Sequence, residues 1–291
     1  MRSRSLSTAT ETASTGTASS DTAPTDTALT GTIAERRKFV HGVSLVIRGE
    51  GAPVFLMHGI GGAASSCGAL AQLLSAHGFQ TFCWDAPGYG ESAAPPEGLD
   101  HPGLVLDILA TLNVGPAHLI GTSWGGVIAT RIAAQAPEAV RSIVLADSTR
   151  GSGITRTAAQ RMLARVPELA AIGPEILAAR RSARLVSPSA PAWVAEAVRA
   201  DMAAVRLSGF SSAATMMAQC DTTELLPRLR IPALVLVGQD DVITGVAESK
   251  VLAENIPGAA LGIIAGAGHA AVQEKPMEMS AAILAFWEGI Q

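Results

Sequence analysis

A serine lies between two glycines in the segment G-T-S-W-G at residues 121–125. The segment follows a short apolar run, residues 118–120, that predicts a strand, and it opens a helical pattern over residues 124–136. In this G-x-S-x-G context a strained strand-to-helix turn exposes the serine as a nucleophile, and the glycines allow close backbone approach. We therefore predict Ser123 as a nucleophile; the alternative is a serine that only caps the helix.

A serine hydroxyl becomes a good nucleophile when a base takes its proton, and a histidine oriented by a carboxylate can do this. Of the six histidines, His269 is the one in a glycine-rich loop after the last predicted strand. Asp240 and Asp241 follow another predicted strand, at the same sheet edge as Ser123. Asp241 is the preferred acid, and Asp240 and Asp147 stay as alternatives.

Attack of a serine on a substrate carbonyl also needs two backbone N–H groups that hold the negative oxygen of the tetrahedral intermediate. Each of these donors stabilises the transition state by about 3–4 kcal/mol. The N–H of Trp124 directly follows the nucleophile. We expect the second donor in the glycine-rich loop 58–62, which follows the strand at 54–57, and we choose Ile60. His58 of the same loop is expected to brace it rather than to take part in catalysis.

Short apolar runs alternate with helix-length segments over most of the chain. The runs are continuous, which is typical of parallel strands covered by helices on both faces. They lie at residues 54–57, 81–84, 118–120, 142–146, 233–237 and 260–264. The helical segments lie at residues 69–77, 104–112, 124–136, 245–255 and 276–289. With an antiparallel edge hairpin at 39–41 and 43–48, we predict an α/β protein with a mostly parallel eight-stranded sheet flanked by helices.

Residues 150–220 interrupt this alternation with helical patterning and no convincing strand. They are too long for a simple connection, so we predict a helical cap inserted after strand 6, with a core of residues 33–149 and 221–291. The cap has nine arginines and four acidic residues, a charge of +5 in a chain of net charge −4. Arginines above the site could hold a substrate carboxylate; the candidates are Arg150, Arg180, Arg181 and Arg184. The alternative is a solvated helix face, for which the spacing of Arg161 and Arg165 is typical.

The first 32 residues differ in composition from the rest of the chain. Sixteen of them are Ser or Thr, so we predict a disordered tail, with an organelle transit peptide as the alternative. Neither this segment nor a later one has the apolar stretch of a secretory signal or a membrane span.

The overall charge and the cysteines bear on partners and location. A net charge of −4 argues against nucleic acid or an anionic membrane as a partner, and the sequence leaves the oligomeric state open. Three cysteines without a CxxC pattern favour a reducing compartment, and we expect the cytoplasm.

Five segments together resemble the successive signatures of the α/β-hydrolase superfamily. They are His58-Gly-Ile-Gly-Gly62, Asp85-Ala-Pro-Gly-Tyr-Gly-Glu-Ser92, the Ser123 turn, Gly238-Gln-Asp-Asp241 and Gly266-Ala-Gly-His269. The resemblance covers the chain from about residue 39 onward. It implies a triad of Ser123, Asp241 and His269 that requires no cofactor and no metal. Family members usually have a proline where this chain has Gly245.

Within the superfamily, the short cap is similar to those of 3-oxoadipate enol-lactonases, haloperoxidase-type esterases and hydrolases of aromatic ring-cleavage products. The resemblance implies hydrolysis of a small ester, lactone or enol-lactone, with amide or carbon–carbon cleavage as alternatives. Carbon–carbon hydrolases typically carry Asn before the nucleophile and Trp after the catalytic histidine, where this chain has Thr122 and Ala270. Haloalkane dehalogenases and epoxide hydrolases use an aspartate nucleophile, so Ser123 argues against both. A noncatalytic ligand-binding protein of the same fold is the alternative from another class.

Overall fold

An eight-stranded sheet forms the centre of the computed structural model, which describes residues 33–290. The strands are β1 (Glu35–Val40), β2 (Val43–Arg48), β3 (Ala52–Met57), β4 (Phe79–Trp84), β5 (Ala117–Thr122), β6 (Val140–Ala146), β7 (Ala233–Gly238) and β8 (Ala260–Ile264). Their spatial order is β1-β2-β4-β3-β5-β6-β7-β8. The β1–β2 and β2–β4 pairs are antiparallel and all the others are parallel, so the carboxyl ends of β3 to β8 share one edge.

Helices pack on both faces of the sheet. They are α1 (Gly68–Ala76), α2 (His101–Leu112), α3 (Trp124–Gln135), α4 (Arg156–Leu163), α5 (Arg165–Arg181), α6 (Ala192–Ala203), α7 (Leu207–Gln219), α8 (Gly245–Asn255), α9 (Ala271–Glu274) and α10 (Pro276–Glu288). Side chains of α2, α3 and α8 belong to the core on one face, and those of α1 and α10 to the core on the other.

The central strands are buried on both faces, which explains their continuous apolar sequences. Leu119 of β5 and Ile143 of β6 belong to the first core, whereas the next residues, Ile120 and Val144, belong to the second. Because successive side chains point to opposite faces of a sheet, each strand must be apolar at every position. Each such buried side chain stabilises the fold by about 1.5–3 kcal/mol. The strand ends are therefore well-anchored supports for the loops that follow them.

The predicted fold class is confirmed, including the helical insertion after β6. Helices α4 to α7 lie within residues 150–220, and α5 is broken at Gly173 (φ 78°), directly before Pro174. The strands β3 and β4 begin two residues earlier than predicted, at partly buried positions that do not extend the apolar runs. Residues 1–32 and their predicted disorder lie outside the described residues.

Two further sequence expectations concern the cysteines and membranes. Cys67, Cys83 and Cys220 are buried and form no disulfide bond within the part of the chain that the structure describes. None of the helices between residues 33 and 290 has the length and apolar content to span a membrane.

The insertion is tied to the core through the carboxylate of Asp201 in α6. Its Oδ1 accepts a hydrogen bond from the Ser65 hydroxyl at 2.7 Å, and its Oδ2 accepts one from the Ser66 hydroxyl at 2.7 Å and one from the Gln273 amide at 3.2 Å. Arg206 adds hydrogen bonds to the carbonyls of residues 88, 89 and 92. These contacts hold α6 and α7 against the loops at the carboxyl edge of the sheet.

We expect Asp201→Ala to lower the free energy of unfolding by about 1–3 kcal/mol, because three donors lose a charged acceptor. Urea unfolding followed by circular dichroism measures the change. Asp107→Ala is the matched control: Asp107 is an exposed residue of α2 without a hydrogen-bonding partner among residues 33–290, and its replacement should stay within about 0.5 kcal/mol. Equal stability of the two variants would mean that Asp201 does not anchor the insertion.

Candidate active site

Ser123 lies in a strained turn between β5 and α3. Its backbone angles are φ 52° and ψ −112°, a conformation that L-residues rarely adopt. A Cβ atom at Gly121 would lie 2.2 Å from the carbonyl oxygen of Gly125, and one at Gly125 would lie 2.2 Å from that of Met57. These distances explain why both flanking positions of the motif are glycine.

The turn is held by hydrogen bonds to strand β6 and the residues after it. The N–H of Ser123 donates to the carbonyl of Ala146 at 2.8 Å, and the hydroxyl of Ser148 donates to the carbonyl of Ser123 at 2.9 Å. Because both backbone groups of Ser123 are engaged, the turn keeps its shape and the side chain faces the cavity above the sheet.

His269 and Asp241 form a hydrogen-bonded pair at the ends of β8 and β7. The distance from Nδ1 of His269 to Oδ2 of Asp241 is 3.0 Å. The hydroxyl of Thr244 donates to the same Oδ2 at 2.6 Å, and the N–H of Ile243 donates to Oδ1 at 2.7 Å. Since Nδ1 is occupied by the carboxylate, Nε2 is the nitrogen left to act on a substrate or on Ser123.

The electrostatics of Asp241 favour its charged form. Burial by itself would raise the pKa of the carboxyl, but the hydrogen bond and charge of His269, with the hydroxyl of Thr244 and the N–H of Ile243, hold it well below its usual range. A permanently ionised carboxylate at Nδ1 stabilises a positively charged imidazole. His269 can therefore accept a proton at Nε2.

Ser123 and His269 line the same cavity, without a direct hydrogen bond between their side chains. In ligand-free hydrolases this contact is often long and tightens when substrate binds.

The loop that carries His269 is fixed by the buried Glu274, which accepts N–H groups of Gly268 and Ser187 at 2.8 Å each. Burial raises the pKa of Glu274.

The two alternative acids have other partners. Asp240 accepts a hydrogen bond from the Ser187 hydroxyl at 2.7 Å. Asp147 is fully buried, accepts the N–H of Gly238 at 2.8 Å, and makes no hydrogen bond to His269. Burial raises the pKa of Asp147 well above its ordinary value, although the Gly238 N–H acts against the shift. Within the described residues, Asp241 is the carboxylate that contacts His269.

The two predicted oxyanion donors, Ile60 and Trp124, line the same cavity as Ser123. Trp124 is the first residue of α3, where an N–H group has no acceptor within the helix. Ile60 lies in a tight turn closed by a 2.9 Å hydrogen bond from Gly62 to Gly59, and the Tyr89 hydroxyl donates to its carbonyl at 3.0 Å. Its N–H makes no hydrogen bond within residues 33–290, which leaves it available to a ligand.

The side chain of His58 stabilises the turn that contains Ile60. Its Nδ1 contacts the carbonyl of Gly59 at 2.7 Å, and its Nε2 accepts the N–H of Ala86 at 3.1 Å. Burial lowers the pKa of His58, so the imidazole is neutral and both nitrogens have partners. The ring has no free nitrogen for catalysis, in agreement with a bracing role.

The cavity has a volume of about 500 Å³ and is lined by Ser123, His269 and residues of the insertion. Of the predicted arginines, Arg181 and Arg184 line it. Arg150 does not, because Glu248 holds its guanidinium with two hydrogen bonds of 3.0 and 2.9 Å. Arg180 is exposed and is not among the residues that line the cavity. Part of the predicted carboxylate clamp is therefore corrected.

Three residues with supporting roles in this region give no signal in the sequence, and a fourth lies in a different environment from the one its spacing predicts. Thr244 holds the carboxylate of Asp241, Glu274 holds the loop that carries His269, and Asp201 holds the insertion against the core. Only the contacts across the fold reveal these roles. Arg165, whose spacing predicted a solvated face, lines the cavity instead. Within residues 33–290 no cluster of three or more His, Cys, Asp or Glu side chains is arranged to bind a metal ion.

The fold and this edge of the sheet agree with a known family. Residues 52–276 match the model of the alpha/beta hydrolase fold family, and the chain belongs to that family. It is a hydrolase of the α/β fold.

Three relatives illustrate the similarity. A protein of Azorhizobium caulinodans, provisionally named the carbamate hydrolase RutD, is 29% identical over 82% of this chain and 92% of its own length. 3-Oxoadipate enol-lactonase 2 of Acinetobacter baylyi is 28% identical over 69% of this chain and 76% of its own length. The structure of a thermophilic esterase from Thermogutta terrifontis, with malate bound, has 26% identity and a TM-score of 0.79 and covers 88% of this chain and 99% of its own.

Proposed function

We propose that the protein is a serine hydrolase that cleaves a small carboxylic ester, lactone or enol-lactone through a covalent acyl-enzyme. The observation that carries this proposal is the 3.0 Å contact between His269 and Asp241 at the cavity that Ser123 faces from its strained turn. A nucleophile, a base and an acid of this kind, in this chain order, form a complete triad for acyl transfer.

In the first half of the reaction, Nε2 of His269 takes the proton of the Ser123 hydroxyl while Oγ attacks the substrate carbonyl. The carbonyl oxygen becomes negative and accepts hydrogen bonds from the N–H groups of Ile60 and Trp124. The imidazolium gives its proton to the leaving alkoxide as the carbon–oxygen bond breaks. Asp241 keeps the imidazole oriented and stabilises its positive charge throughout.

In the second half, a water molecule replaces the alcohol. His269 takes a proton from the water, the resulting hydroxide attacks the acyl-enzyme, and the same two N–H groups hold the second oxyanion. Collapse of this intermediate releases the carboxylic acid and returns the proton to Ser123. For a lactone, alcohol and acid stay in one product molecule. The steps use only protein groups and water.

The relatives support the substrate class. Among them are an enol-lactonase and an esterase, which both act on carbon–oxygen acyl bonds. Hydrolysis of a carbon–nitrogen acyl bond is the second candidate, favoured by the similarity to the protein named as a carbamate hydrolase. The three unpaired cysteines support a reducing compartment, and we propose the cytoplasm.

We expect a fluorophosphonate probe to label one site per chain, and peptide mapping by mass spectrometry to place it on Ser123. The reason is that His269 activates this hydroxyl next to two oxyanion donors. Wild-type protein should also release a burst of about one p-nitrophenol per chain from p-nitrophenyl acetate, because acylation precedes the slower water step.

Ser152→Ala is the matched control for labelling, because Ser152 lines the same cavity without contacting His269. Its label and burst should stay at the wild-type level, whereas Ser123→Ala should lose both. If Ser123 does not react although the protein is folded, the noncatalytic alternative replaces the enzyme.

A further inference from the structure

Arg165, the first residue of α5, is a cation in the catalytic cavity without a carboxylate partner. Within residues 33–290, no carboxylate oxygen lies within 4.0 Å of its guanidinium. Its Nε is buried and makes no hydrogen bond, and its Nη1 has only the sulfur of Met162 at 3.6 Å. The guanidinium lies over the ring of Phe210, 5.2 Å from the centroid.

Three other arginines of the insertion are paired with carboxylates. Arg181 is held by Glu168 at 2.5 Å and Arg199 by Glu196 at 2.6 Å, while Glu248 binds Arg150. Burial lowers the pKa of Arg165 to about 10, with the like charge of Arg181 as the next cause, so the side chain is still a cation at neutral pH. A desolvated charge without a counterion destabilises a fold. This arrangement therefore favours an anion supplied from outside the chain.

Arg165 lines the cavity that also contains Ser123, so an anion bound to it can belong to the substrate. Arg165 and Arg181 line both the catalytic cavity and an adjoining pocket, whose lining also includes Arg161 and Glu168. The lining of the catalytic cavity also includes the apolar side chains of Ile154, Met162 and Met217. An acyl chain with its carbonyl at Ser123 would pass along apolar surface and end at a basic site.

We propose that Arg165 binds a carboxylate of the substrate at the end remote from the scissile carbonyl. The substrate class is then a half-ester, or a lactone that carries a free acid. This inference rests on the proposed serine-hydrolase function and names the substrate of that same site. A guanidinium forms short, charge-assisted hydrogen bonds with carboxylate oxygens, and these are stronger where water is excluded.

The kinetic test compares methyl half-esters of succinate, glutarate and adipate with methyl butanoate, pentanoate and hexanoate, by titrating the released acid. Wild-type protein should have a higher kcat/KM for the half-ester of at least one length. Arg165→Met should lower that value about 10- to 100-fold and change the neutral ester by less than about twofold. Arg165→Lys, which keeps the charge, should restore part of the loss.

Arg156→Met is the matched control, because Arg156 is exposed on α4 and lines neither pocket. Its kinetic constants should equal those of the wild type. A role of Arg165 in packing alone would lower the melting temperature of Arg165→Met, whereas removal of an unpaired cation should leave it equal or higher. Equal losses on charged and neutral esters, or no preference for any half-ester, would overturn the proposal.

A binding experiment separates this inference from the proposed function. Calorimetry should detect adipate or glutarate, but not adipamide, binding to Ser123→Ala, and the Arg165→Met change should abolish that binding. Arg165-dependent binding, together with a wild-type protein that hydrolyses none of the esters, would refute the proposed function and retain the carboxylate site. Hydrolysis of neutral esters, without any dicarboxylate binding, would retain the function and refute the carboxylate site.

Discussion

Ser123→Ala should lower kcat for p-nitrophenyl acetate by about 10⁵- to 10⁶-fold, the effect of removing the nucleophile from a triad. The residual rate would come from the proposed oxyanion donors, the N–H groups of Ile60 and Trp124, which remain in place. The fold should be unchanged, because Ser123 Oγ makes no hydrogen bond within residues 33–290 and alanine is no more strained than serine at φ 52°. Initial rates at saturating ester, with a melting curve for each protein, measure both effects.

The control for this prediction is Ser152→Ala, which removes another hydroxyl from the same cavity. It should keep kcat within about twofold of the wild type. If Ser123→Ala retained a tenth or more of the activity, a different group would be the nucleophile, and the proposed acyl-enzyme would have to be abandoned.

Asp241→Asn should lower kcat by about 10⁴-fold, since the amide cannot stabilise an imidazolium and favours the wrong tautomer of His269. Asp147→Asn should stay within about threefold of the wild type. Burial favours the protonated form of Asp147, and an asparagine oxygen can still accept the 2.8 Å hydrogen bond from Gly238. The two substitutions are chemically identical and lie at the ends of neighbouring strands, so each controls for the other.

Rates with p-nitrophenyl acetate and near-ultraviolet circular dichroism of both variants test this assignment. An inactive, folded Asp147→Asn together with an active Asp241→Asn would show that the acid follows β6 rather than β7. The 3.0 Å contact of Asp241 with His269 argues for the expected order.

Most of the fold could be predicted because it depends on local patterns. Continuous apolar runs indicated parallel strands, and the helical segments between them had the length of crossover helices. The glycines around Ser123 reflect a local backbone constraint, and so they could be recognised from residue types alone. The starts of β3 and β4 were missed because their first residues are only partly buried.

The choice between Asp240 and Asp241 shows where residue types stop being informative. The two carboxylates are neighbours in the sequence, but one accepts from Ser187 at 2.7 Å and the other lies 3.0 Å from His269. The family resemblance pointed to Asp241, but residue type and spacing left both open. The directions of the two side chains depend on the turn after β7 and on the insertion that packs against it.

The sequence by itself determined the α/β class, the nucleophile turn, and the order of candidate serine, acid and histidine along the chain. Only the tertiary structure decided which arginines have partners. Arg150 meets Glu248 across 98 residues of sequence, whereas Arg165, spaced like a solvated residue, lies in the cavity without a carboxylate partner among residues 33–290. Spacing along a helix predicts contacts within that helix. Ion pairing and desolvation depend on which distant elements come together, and no local pattern records this.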